Sequence, residues 1–146
     1  PQSRREIPVL EASVGAVGAM RILAVDDEPL FLEVLTASLT ELGYSDVVTA
    51  HSGEEALRTL EAPDASFDCI LLDIRMPGLS GVEVLERIRQ VYPSLRVVII
   101  TGYCSEGDFS RACSLGVQGY LAKPLQFEEL MQVIQRCREE GSDDVA

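Results

Sequence analysis

From Arg21 onward, short apolar runs alternate with amphipathic stretches whose apolar residues recur every three or four positions. Parallel βα units produce this alternation, because a strand covered on both faces reads as an unbroken apolar run and its crossover helix as a one-sided stripe. Five repeats can be counted. Ile22 to Val25 leads to Pro29, suited to a helix first turn, and then Leu32, Leu35, Leu39 and Leu42 follow at helical spacing until Gly43 stops them. Val47 to Thr49 predicts the second strand, and Ser52 with Glu55 forms a capping box for a helix carrying Ala56, Leu57 and Leu60.

The third run, Phe67 to Leu72, is nearly all apolar and ends on Asp73, as expected of a central strand. A second capping box, Ser80 with Glu83, opens a helix that turns Val84, Leu85, Ile88 and Val91 inward until Pro93. Val97 to Ile100 ends on Thr101, with Ser105 and Asp108 marking the next helix start. The fifth strand, Val117 to Leu121, leads to Lys123 and Pro124, and Phe127, Leu130, Ile134 and Cys137 give the last helix its stripe.

The 146 residues leave room for one compact domain, expected over residues 20–140, with a polar, frayed tail over 141–146. Residues 1–19 are expected to be a leader, a linker or of cloning origin, outside the fold. Glu11 and Arg21 interrupt a signal-peptide reading, and Met20 makes a natural start. No apolar run approaches the roughly 18 residues that span a bilayer. The 12 Lys+Arg against 24 Asp+Glu, a formal charge of -12, argue against direct nucleic-acid binding and favour cations or basic partners. Cys69, Cys104, Cys113 and Cys137 show no CxxC pairing and His51 is the only histidine, so the zinc spacing is missing and the thiols read as reduced, in a cytoplasmic protein. Cys69 is expected in the core, Cys104 as a bystander in the loop after Thr101, and His51 in an exposed loop.

Polar residues gather where strands end. Asp26 and Asp27 follow strand one, Asp73 strand three, Thr101 strand four and Lys123 strand five. Ligands of doubly wound sheets sit outside those carboxyl ends. If strands one and three are neighbours, three carboxylates converge, and their repulsion calls for a cation. Magnesium, which binds through one or two carboxylates plus phosphate oxygens, suits the site, with manganese as a substitute. Asp73 is then a candidate nucleophile, Lys123 the ammonium and Thr101 the hydroxyl for phosphoryl transfer. Taken singly, Asp26 and Asp27 read as helix caps, Asp73 as a turn residue before Pro77-Gly78, and Lys123 and Thr101 as surface and strand-end groups.

Asp26-Asp27, Leu-Leu-Asp73-Ile-Arg-Met-Pro-Gly, Thr101-Gly102 and Gly119-Tyr120-Leu-Ala-Lys123-Pro124 together resemble the response-regulator receiver family, over roughly residues 21–140. The resemblance implies a flavodoxin-like α/β fold, a doubly wound five-stranded parallel sheet in order 2-1-3-4-5 between two helical layers. It implies Asp27 as a direct magnesium ligand, Asp26 partly through water, Asp73 as ligand and phosphoacceptor, and the Arg75 carbonyl as the backbone ligand. Tyr120 matches the switch aromatic that turns inward with Thr101, altering the surface of helix four, strand five and helix five. Arg75 and Tyr103 match positions that tune phosphoryl lifetime, and a cis bond is implied before Pro124.

The implied partners are a histidine kinase or phosphotransfer protein and an output domain or downstream protein, with a homodimer through the helix four, strand five, helix five surface as a further expectation. Phosphotransfer and slow dephosphorylation would be self-catalysed, with no separate enzymatic activity. Three alternatives stand beside this reading. A phosphorylation-independent pseudo-receiver is disfavoured by the intact acceptor set. A haloacid-dehalogenase-like aspartyl-phosphate phosphatase needs a second Asp where Arg75 stands. A flavodoxin needs amides and hydroxyls where Asp26-Asp27-Glu28-Pro29 offers carboxylates.

Overall fold

The structure, a computed structural model, describes residues 20–102 and 105–145, with side chains described through Glu139. The expected leader and Ala146 lie outside the described residues. Five strands, β1 (Ile22–Val25), β2 (Val47–Ala50), β3 (Cys69–Asp73), β4 (Arg96–Thr101) and β5 (Gly119–Ala122), alternate with five helices. These are α1 (Pro29–Glu41), α2 (Gly53–Glu61), α3 (Gly81–Val91), α4 (Glu106–Leu115) and α5 (Phe127–Val145). All strand pairs are parallel and the order is β2-β1-β3-β4-β5, the doubly wound topology expected.

The strand period of two splits the core into two layers. Ile22, Ala24, Cys69, Leu71, Val98 and Ile100 face α1 and α5 through Leu35, Leu39, Leu130 and Ile134. The alternate residues Leu23, Val25, Ile70, Leu72, Val97 and Ile99 face α2, α3 and α4 through Ala56, Leu60, Leu85, Ile88 and Ala112. β1 and β3 are buried along their whole length, whereas the edge strands β2 and β5 are only partly covered. Each large apolar side chain so buried contributes about 1.5–3 kcal/mol. That surplus lets the strand ends carry buried charge.

Local chemistry sets the boundaries. Pro29 opens α1, and Gly43, at φ 103°, takes the left-handed turn after its end. The Ser80 box is complete: its hydroxyl accepts from the Glu83 amide and the Glu83 carboxylate accepts from the Ser80 amide. The Ser52 box is half made, since Glu55 accepts from the amide of His51 instead of that of Ser52. His51 is exposed, as expected, and pairs with Glu55 at 3.6 Å.

Several expected boundaries shift. Phe67 and Asp68 precede β3, with the Arg21 guanidinium stacked 4.8 Å from the Phe67 ring. β5 begins at Gly119 because the Gln118 side chain, not a backbone carbonyl, accepts from the Val97 amide at 2.7 Å. Val91 is 64% exposed, since Tyr92 takes the inward place and donates its hydroxyl to the Leu60 carbonyl. Phe127, at the first position of α5, is 41% exposed, and Val133 joins Leu130, Ile134 and Cys137 inside. The α5 backbone stays helical to Val145, past the point where the sequence predicts the tail to begin.

Gly81 fixes how α3 meets β3. A β-carbon there would collide with the carbonyl oxygen of Asp73 and press on the backbone of Ile74. The Gly81 amide in turn donates to the Ile74 carbonyl at 3.1 Å, holding the turn after Asp73 closed. Gly81→Ala is expected to cost about 1–3 kcal/mol through this overpacking. A lower urea midpoint at unchanged m-value would register it, and an unchanged midpoint would refute it.

Candidate functional site

Strand register brings the predicted polar residues together. Val25 pairs with Leu72, so Asp26 and Asp73 leave neighbouring strands side by side. Asp73 pairs with Ile100 and Thr101 with Ala122, which sets Thr101 and Lys123 at the same edge of the sheet. One carboxylate oxygen from each of Asp26, Asp27 and Asp73 lies within 4.8 Å of the others. Asp26 and Asp73 are the buried charged residues among those described, while Asp27 is exposed.

Backbone amides aim the carboxylates. Asp26 Oδ1 accepts from the Glu28 amide at 2.8 Å, and Asp73 Oδ1 accepts from the Arg75 amide at 3.0 Å. The cap position of α1 is Glu28, so neither Asp26 nor Asp27 serves as the helix cap. Lys123 is no solvated surface lysine. Its side chain is 17% exposed, and Nζ lies 2.8 Å from Asp26 Oδ2, 2.8 Å from Glu28 Oε1 and 3.5 Å from Asp73 Oδ2. The Phe31 ring stands 4.4 Å from Nζ on a further side. The Lys123-Pro124 bond is cis.

Charge is unbalanced here in one direction. Burial, with the nearby Asp26 carboxylate, raises the Asp73 pKa to about 6 against the Arg75 amide and Lys123, which pull it down. Burial by itself would lower the Lys123 pKa, but Asp26, Glu28 and Asp73 outweigh it and hold the ammonium above its ordinary value. One ammonium therefore does not satisfy the cluster. The excess of hard oxygen donors, one exposed beside two buried, fits a divalent cation such as magnesium. A crevice of about 350 Å³ lined by Asp27, Glu28, Asp73, Arg75, Gly102 and Lys123 gives access. A larger groove, of about 830 Å³, lies at the opposite strand ends among Leu60, Phe67, Tyr92 and Arg96, away from the carboxylates.

The Thr101 hydroxyl is buried with no hydrogen-bond partner among the described residues, at the edge of the cluster. Tyr120 points outward, 59% exposed, and meets Phe109 of α4 edge-on with ring centroids 5.3 Å apart. It is therefore not a core tyrosine. Arg75 is exposed beside the crevice, whereas Tyr103 and Cys104 lie outside the described residues. Glu28 and Gly81 were not singled out by sequence. Acid next to Asp26-Asp27 and glycine after a cap residue were the available signals, and neither predicts a partner across the sheet.

A parallel 2-1-3-4-5 sheet with an acidic cluster, a buried hydroxyl and a lysine at its carboxyl edge defines a flavodoxin-like α/β domain of the receiver type. The chain belongs to the response regulator receiver domain family, whose profile matches residues 22–135. It is 37% identical over 121 residues to the transcriptional regulatory protein GlrR of Escherichia coli (strain K12), covering 83% of this chain and 27% of that protein. The transcriptional regulatory protein YkoG of Bacillus subtilis (strain 168) is 36% identical over 122 residues, covering 83% of this chain and 52% of YkoG. The chain thus spans about a quarter to a half of the length of these relatives. Among solved structures, response regulator TrrA from Thermotoga maritima, in complex with Mg(2+)-BeF, superposes with TM-score 0.72 at 36% identity, covering 81% of this chain and 98% of that one. A CheY-like receiver from Methanospirillum hungatei JF-1 superposes with TM-score 0.78 at 29% identity, covering 85% and 98%. No helix among the described residues is long and apolar enough to cross a membrane.

Because the folded-state pKa of Asp73, about 6, lies above the unfolded value of 3.8, the folded protein holds this proton more tightly. The resulting stability is complete below about pH 4 and is lost as pH rises through 6. Without divalent metal, Asp73→Asn is expected to gain on the order of 1–2 kcal/mol over wild type between pH 4 and pH 8, after allowance for solvent screening. Chemical denaturation in chelator at several pH values measures it. A difference independent of pH would contradict it.

Proposed function

We propose that Asp73 is the phosphoacceptor of this receiver and that Asp26, Asp27, Asp73 and the carbonyl of Arg75 hold a magnesium ion. The observation that carries the reading is the convergence of the Asp26, Asp27 and Asp73 carboxylates, with one oxygen of each within 4.8 Å of the others, beside the Lys123 ammonium. When bound, the ion supplies the positive charge that keeps Asp73 ionised and offsets charge on the donor phosphate. An Asp73 carboxylate oxygen attacks phosphorus, and the bond from phosphorus to a phosphohistidine nitrogen breaks with its electron pair going to the imidazole. Lys123 places its ammonium against one phosphoryl oxygen. The Thr101 hydroxyl, which has no partner among the described residues, donates to another.

Each such charge-assisted bond is worth about 1.5–3 kcal/mol, and inverting a 1:99 equilibrium takes about 5.5 kcal/mol. A new bond from Thr101 and the exchange of a carboxylate for a phosphoryl oxygen at Lys123 both push the equilibrium towards the switched state. Withdrawal of Thr101 towards the phosphoryl group makes room for Tyr120, now lying on Phe109, to turn inward and change the face of α4, β5 and α5. The donor is a histidine kinase or phosphotransfer protein of the cytoplasm, and the recipient of the signal is an output domain or downstream protein. The domain catalyses its own phosphorylation and slow dephosphorylation.

Incubation with acetyl phosphate and magnesium is expected to add one phosphoryl group by intact mass, absent in Asp73→Ala and in chelator. Full labelling of Asp73→Ala would overturn the assignment. Thr101→Ala is expected to be labelled yet to lose the phosphorylation-dependent change in hydrogen exchange over α4 and β5. The same exchange change in mutant and wild type would remove Thr101 from the switch.

A further inference from the structure

Lys123 has no donor to spare. An ammonium carries three N–H groups, and three carboxylates, from Asp26, Glu28 and Asp73, stand 2.8, 2.8 and 3.5 Å from Nζ. The Phe31 ring occupies another side at 4.4 Å. A phosphoryl oxygen arriving at Asp73 can gain this ammonium only if one carboxylate gives it up. The Asp26 and Asp73 side chains are 1% and 4% exposed, so releasing either would strand a buried charge. Glu28 is 63% exposed and recovers water when it lets go. It is the carboxylate that yields at least cost.

The backbone shows that this contact is built in. Glu28 precedes Pro29 and is held extended, at φ -101° and ψ 107°. Glutamate is not among the side chains that ordinarily cap a helix, so its carboxylate is free to reach elsewhere. Here the side chain makes no capping bond and reaches across to β5's end instead, where Lys123 lies nearer to it than to the acceptor.

We propose that Glu28 is a positioning residue that competes with the incoming phosphoryl group for Lys123, occupying one of its donors until phosphorylation displaces it. The inference rests on the reading of Asp73 as acceptor and Lys123 as its ammonium. In the unphosphorylated protein Glu28 occupies the donor that the phosphoryl oxygen later takes. Removing its charge frees that donor in advance.

Glu28→Gln and Glu28→Ala test this, with labelling by acetyl phosphate at saturating magnesium followed by intact mass. Both variants are expected to label about two- to fivefold faster than wild type at low ionic strength, the size of a solvent-accessible ion pair. The advantage is expected to shrink in about 0.5 M salt, which screens the contact in wild type. A purely structural Glu28 would shift thermal midpoints and leave the labelling rates and their salt dependence alike. Equal or slower labelling of both variants beside a labelled wild type overturns the competition. Failure of wild type itself to label overturns the acceptor reading, and this inference with it.

Discussion

One ammonium among four carboxylates is the constraint on which the site depends. Two unit charges 4 Å apart interact by about 4 kcal/mol at an effective dielectric of about 20, more than a typical net hydrogen bond of about 0.5–1.5 kcal/mol. The register that brings Asp26 beside Asp73 therefore creates a repulsion that backbone hydrogen bonds alone do not offset. Lys123, brought in from the end of β5 on the far side of β4, answers part of it. Burial first, and then the remaining repulsion from Asp26, raise the pKa of Asp73.

The sheet tolerates that imbalance because its two apolar layers are complete underneath. β1 and β3 bury every residue up to the acids, and Gly81 keeps the turn after Asp73 tight against α3. Rigid strands hold the charges together at the carboxyl edge, while α4 and the edge strand β5 are thinly packed. α4 contributes one buried residue, Ala112, to the core. Tyr120 on the edge strand β5 rests against Phe109 of that same helix, so the two least embedded elements are already in contact.

The topology was legible because each strand announced itself as an apolar run and each helix as a stripe. The strand-end acids, Thr101 and Lys123 could be placed from their position after those runs. Edges were harder. Val91 and Phe127 fit a helical stripe but sit where the last and first turns swing away from the sheet. The capping pair at Ser52 looked like that at Ser80, yet Glu55 bonds one residue earlier. Glu28 escaped because its partner lies 95 residues away, and periodicity says nothing of where an exposed side chain reaches.

The central claim is that this cluster becomes a phosphoryl site only when a divalent cation completes its charge. Calorimetric titration with beryllofluoride, a phosphoryl mimic, tests it most directly. One molar equivalent is expected to bind in magnesium and none in chelator. Binding of equal strength in the two conditions would contradict the account.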